Sequence, residues 1–120
     1  MQVNVQNRSV VYNAGPGLVP EGVHRADLVD AYEMATGFGP RVALVFRLLE
    51  GPCAGYDLMQ SAAATRSRRG KLAELLHGFG GADGTLAAAR LVIGTRGRIA
   101  VRHQTNQVGH TYAAVVQTFT

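Results

Sequence analysis

A mainly β domain, five strands coiled into a small barrel with one helix between the third and fourth, is the fold class this sequence predicts. Three observations predict it. Runs of β-branched and aromatic residues separated by Gly/Pro turns occupy residues 22–60 and return at 98–119. Between them the apolar period changes from two to three-and-four, at Leu72, Leu75, Leu76 and Phe79. The chain has 120 residues, 47% hydrophobic and 17% charged, which suits one domain with a real core and not a disordered tail.

Each element follows from its local pattern. Residues 1–17, with Val3, Val5, Val10, Val11 and Tyr12 ahead of Gly15-Pro16-Gly17, read as an extended arm or edge strand; residues 18–120 form the domain. Pro20-Glu21-Gly22 turns the chain into a first strand, Val23–Tyr32, whose two-residue period sets Asp27 and Asp30 on opposite faces. Thr36-Gly37-Phe38-Gly39-Pro40 is a loop, and Arg41–Leu49 is a strand dense in β-formers. Glu50–Gly55 is a turn that returns the chain antiparallel through Tyr56-Asp57-Leu58-Met59. The helix should span Ser67–Phe79, with Ser67 as N-cap and Gly78, Gly80 and Gly81 as its stop, and Thr85–Arg90 has the composition of a short second helix. Arg98–His103 alternates, with Ile99, Val101 and His103 on one face and Arg98, Ala100 and Arg102 on the other. His110–Phe119 closes the chain as a strand. That order is the order of an OB-type barrel, in which five strands coil and a helix plugs one end; a helix-capped open sheet is the alternative.

The same residues exclude several functions. One cysteine, Cys53, rules out an internal disulfide framework and a Cys-rich zinc site, and its turn setting reads as a small apolar residue at a loop edge. No window approaches the roughly 20 apolar residues that span a bilayer, and the N-terminus lacks a signal-peptide pattern, so a cytoplasmic protein without a membrane partner is expected. Asp27, Asp30 and Glu33 lack a nearby His, and His103 and His110 bracket a polar turn. The glycine-rich stretches do not end in the Gly-Lys-Ser or Gly-Lys-Thr of a phosphate-cradling loop, and no Ser, His and Asp set has a local signature. We therefore expect no catalysis, no metal and no cofactor.

Charge is distributed unevenly. Residues 1–60 hold four Arg against six acids, a net −2, whereas residues 61–120 hold eight Lys or Arg against two acids, a net +6. The densest stretch is Arg66-Ser67-Arg68-Arg69-Gly70-Lys71. Such asymmetry points to a polyanion partner, the plain alternative being a solvated basic face. A single-strand binder needs cations for phosphates and flat rings for bases. The candidate cations are Arg66, Arg68, Arg69 and Lys71, with Arg96, Arg98 and Arg102 on the fourth strand and its turn. The candidate stacking rings are Phe38, in a Gly-rich loop that overhangs the binding face of an OB layout, then Tyr32 and Tyr56, with Tyr112 after them; Phe46 and Phe79, set among Val and Leu, belong to the core.

Five segments carry a resemblance: Val19-Pro20-Glu21-Gly22-Val23-His24-Arg25-Ala26, Val42–Phe46 running into Glu50–Gly55, Gly70-Lys71-Leu72-Ala73-Glu74-Leu75-Leu76, Leu91-Val92-Ile93-Gly94 and Tyr112–Val116. In this layout, across roughly residues 18–118, the chain resembles small OB-fold-like phage and mobile-element proteins that act as single-stranded DNA-binding accessories in replication or recombination. The likeness is one of order and spacing, with no diagnostic motif. It implies a non-catalytic single-stranded DNA binder that assembles as a homo-oligomer. Such proteins usually carry an acidic tail beyond the barrel, and the residues up to Thr120 contain none, so no tail-mediated recruitment is expected. A second expectation, from another class, is an assembly module that forms homo-oligomers through its β-edges without binding nucleic acid.

Overall fold

The computed structural model describes residues 18–37, 39–67 and 69–120. The expected arm of residues 1–17 lies outside the described residues, as do Phe38 and Arg68. The chain is organised as β1 (Gly22–Thr36), β2 (Gly39–Leu48), β3 (Asp57–Ala63), α1 (Lys71–His77), α2 (Leu86–Leu91), β4 (Arg96–Thr105) and β5 (Thr111–Phe119). All strand pairs are antiparallel, in one open sheet of order β3-β2-β1-β4-β5. The expected closure is therefore corrected: β3 and β5 are the sheet edges. They meet through a side chain, since the Val115 N–H donates to Oε1 of Gln60 at 3.0 Å in place of a β3 carbonyl.

β1 is shared between two partners. It spans 15 residues. Its first part, Gly22–Asp27, pairs with β4, and Ala26 onward pairs with β2. The register shifts between Leu28 and Asp30, where Val29 is the extra residue of a bulge.

One face of the sheet carries the core. Leu28, Leu44, Phe46, Leu48, Leu58, Ile99, Val101 and Val115 are fully buried there, and α1 covers them with Leu72, Leu75 and Leu76. Phe79, just past α1, stacks obliquely on Phe46 with ring centroids 5.4 Å apart. Its ring lies over Gly97 of β4, where a Cβ would stand 3.0 Å from Phe79 Cζ.

The helix is shorter than the Ser67–Phe79 span expected for it. The Ser67 N–H donates to Thr65 Oγ1 and the Ser67 hydroxyl accepts the Arg69 N–H, so two successive hydroxyl turns use up the residue that should have capped. Gly70 takes the N-cap position without a side-chain bond, and a Cβ there would stand 2.4 Å from Thr65 Cγ2. α2 confirms the short second helix, capped by the Thr85 hydroxyl, which accepts the Ala88 N–H at 3.1 Å. Among the described residues no helix is long and apolar enough to cross a membrane.

Candidate nucleic-acid interface

Residues opposite one another in an antiparallel pair share a face, so the register determines what the outer face of the sheet displays. Asp57, Arg47, Asp27 and Arg96 lie in one row across β3, β2, β1 and β4, alternating in charge. Arg47 donates to both carboxylate oxygens of Asp57, at 2.8 and 3.0 Å, and Arg96 to both oxygens of Asp27, at 2.9 and 3.4 Å. The row is a neutral belt. On the hairpin side of it lie Asp30, Tyr32 and Met34 of β1, Arg41, Ala43 and Val45 of β2, and Met59 and Ser61 of β3. Tyr32, Met34 and Met59 are half-buried, and Arg41 reaches across β3 to the Ser61 carbonyl at 3.0 Å. On the other side lie Val23 and Arg25 of β1, Arg98, Ala100 and Arg102 of β4, and Gln117 and Phe119 of β5. The belt separates a mainly apolar half, which also carries the exposed Asp30 and the engaged Arg41, from a cationic half.

The predicted residues divide accordingly. Arg98 and Arg102 stand exposed on the cationic half, as the alternation of β4 requires. The Arg98 guanidinium sits 5.7 Å from the centre of the Phe119 ring and donates to the Thr120 carbonyl at 3.1 Å. Arg102 makes no side-chain hydrogen bond or ion pair among the described residues. Arg96 is the exception, since Asp27 neutralises it. Arg66 and Arg69 are exposed in the β3–α1 loop and unpaired among the described residues. Lys71 donates to the Val116 carbonyl of β5, which the bulge between Ala100 and Val101 leaves out of the ladder. That bond brings the loop cluster to the strand that borders the β4 arginines. Tyr32 lies on the apolar half, whereas Tyr56 packs against the core and is not on this face. The Tyr112 hydroxyl donates to Gln104 Oε1 on the neighbouring strand at 3.2 Å.

Two features escaped the sequence reading. Asp30 shares the outer face with Asp27, because the bulge at Val29 adds one residue between them. Its Oδ1 accepts the Ala31 N–H at 2.8 Å. Arg25, directly opposite Arg98, is exposed and makes no side-chain hydrogen bond or ion pair among the described residues. Its signal was the two-residue period of Val23, Arg25 and Asp27 in β1. His103, expected on the same face of β4 as Ile99 and Val101, lies opposite the core residue Ala113 and anchors the incoming segment: its Nε2–H donates to the Val19 carbonyl at 2.8 Å, and its backbone N–H to Glu21 Oε2.

The belt has a pH signature. The hydrogen bond from Arg96 is the main influence holding the Asp27 carboxyl below its ordinary value; partial burial opposes it, and the charges of Arg96, Arg47 and Arg25 add to it. A depressed folded-state value means a stabilising contribution complete above the unfolded value, about pH 4, and lost as pH falls through the folded one. Asp27→Asn should therefore remove part of the acid sensitivity. Urea midpoints measured from pH 6 downward should fall less steeply below about pH 4 for this variant than for wild type.

Compared with known proteins, the chain matches no protein-family model and no curated sequence.

Proposed function

We propose that this protein is a non-catalytic single-stranded DNA-binding protein with an OB-like strand layout, acting in the replication or recombination of a phage or mobile element. The observation that carries the reading is the divided outer face: uncompensated arginines on one side of a neutral belt, and a tyrosine and two methionines on the other. Phosphates would follow the arginines and bases would lie on the apolar half, an arrangement that tolerates any sequence. The strand order, the Gln60 link between the two edge strands and α1 between them support the OB-like description.

Binding should be steeply salt-dependent. Five cations, Arg25, Arg98 and Arg102 on this face and Arg66 and Arg69 in the β3–α1 loop, make no bond to a carboxylate side chain among the described residues. With the neighbouring Arg25 and Arg98 counted as one contact, four phosphate contacts at about 0.7 each on a single strand give a log–log slope near 2.8, or about 50-fold weaker binding between about 50 and 200 mM salt. Fluorescence anisotropy with an oligo-dT strand measures this. Binding that ignores salt, or no binding at low salt, would sink the reading, and competition by RNA and by duplex DNA reports which nucleic acid is preferred. Arg66→Ala, Arg68→Ala and Arg69→Ala together should weaken binding for every sequence tested.

Assembly through β-edges is the second reading, favoured by one observation. Beyond Leu28, whose backbone bonds Thr95 and Gly94, the register of β1 gives it β2 as its only strand partner among the described residues, so the outer edge of residues 32–36 can accept a second copy. Mass measurement in solution, with and without the oligonucleotide, separates an oligomer that ignores DNA from one that binds it.

A further inference from the structure

We infer that Arg25 and Arg98 together form a seat for one phosphate group of the bound strand, with Arg102 the next contact along β4; this rests on the outer face being a single-strand track. Arg25 and Arg98 are direct partners in the β1–β4 register. Side chains at such positions start about 5 Å apart at Cβ, and like charges placed there repel. Proteins usually relieve such a pair with a carboxylate. The nearest one in this register, Asp27, has both oxygens taken by Arg96, and the belt it belongs to is neutral as a whole. Arg98 rests turned toward β5, on Phe119 and Thr120, and an anion between β1 and β4 would draw it back beside Arg25.

The geometry favours phosphate. Each guanidinium offers five N–H donors in a fixed fork, and Arg98 spends one on the Thr120 carbonyl while the Phe119 ring props its plane. Brought beside each other, the two forks supply donors to both free oxygens of a phosphodiester. Arg102 projects from the same face four residues on, about 13 Å along the strand, with Ala100 leaving room between them. The phosphates therefore follow β4 on this side of the belt, since Arg47 and Arg41 of β2 are already engaged.

Arg25→Gln and Arg98→Gln, singly and together, test the seat. Because both side chains hold one phosphate, the double variant should lose less oligo-dT affinity than the product of the two single losses, and its salt slope should fall by about 0.7. Arg25→Gln should also melt no lower than wild type without ligand, since it removes a repulsion; a residue kept for structure would melt lower. Multiplicative losses, or affinity and slope unchanged in a wild type that binds, overturn the seat and leave the single-strand reading standing. A wild type that binds no oligonucleotide overturns that reading instead. The seat is then decided by inorganic phosphate against chloride at equal ionic strength: a melting-temperature rise in wild type that Arg25→Gln lacks supports it, and equal responses overturn it.

Discussion

Phe46→Ala is expected to lower the unfolding free energy by about 3–5 kcal/mol, the largest loss from any single change described for this protein. Phe46 is fully buried at the centre of β2, opposite Leu28 on β1 and Leu58 on β3. Its ring meets Phe79, the residue through which the chain beyond α1 locks onto the sheet. Removing it forfeits the transfer of an aromatic side chain from water and leaves a void that the sheet, held by strands on both sides, cannot collapse to fill. Urea denaturation measures the loss through the midpoint, with the slope unchanged if only the native state is affected. Phe46→Leu, which retains most of the volume, should lose much less. A Phe46→Ala loss below about 1 kcal/mol would mean that the core is not centred on this contact.

Gly78→Ala is expected to cost about 1–3 kcal/mol, toward the upper end, although it adds one methyl group. The end of α1 presses against β5 at this point. A Cβ on residue 78 would stand 2.3 Å from Thr118 Oγ1 and 2.5 Å from the Phe119 nitrogen and the Thr118 carbonyl carbon. Backbone atoms of a paired strand cannot yield as a flexible side chain can, so α1 would have to lift. The same contact holds a relay: the Gly78 N–H donates to Thr118 Oγ1 at 3.1 Å, and that hydroxyl donates to the Leu75 carbonyl at 2.7 Å. Lifting the helix exposes those groups to water or leaves them unsatisfied. Gly37→Ala, where a Cβ meets nothing within 4 Å, is the control and should be near neutral by the same thermal or urea assay. Equal effects at both positions would refute the close approach of α1 and β5.

Much of the fold was legible in the residues. The period change at Leu72, Leu75 and Leu76 located α1, and the alternation of Arg98 to Arg102 placed those two arginines on the outer face with Ile99 and Val101 beneath them. The helix start was not legible, because Ser67 serves equally well as an N-cap or as a hydroxyl turn, and Thr65 beside Gly70 decided for the turn. Of the candidate site, the loop arginines and the β4 arginines were visible as charge. Their state was not. Arg96 looked as free as Arg98 in sequence, yet its partner Asp27 stands 69 positions away and arrives only through the β1–β4 pairing. Arg25 was hidden for the converse reason: its neighbours in sequence gave no cluster, and its neighbour in space is Arg98.

The sequence by itself determined which residues β4 and α1 bury and how charge divides between the two halves of the chain. These follow from the 2.0 and 3.6 periods of strand and helix and from composition, which are local. Only the tertiary structure decided that the sheet stays open at β3 and β5, that a neutral belt divides its outer face, and that Arg25 and Arg98 confront each other across β1 and β4. Those outcomes depend on register, and a single inserted residue, Val29 in β1 or Val116 in β5, moves every side chain beyond it to the opposite face.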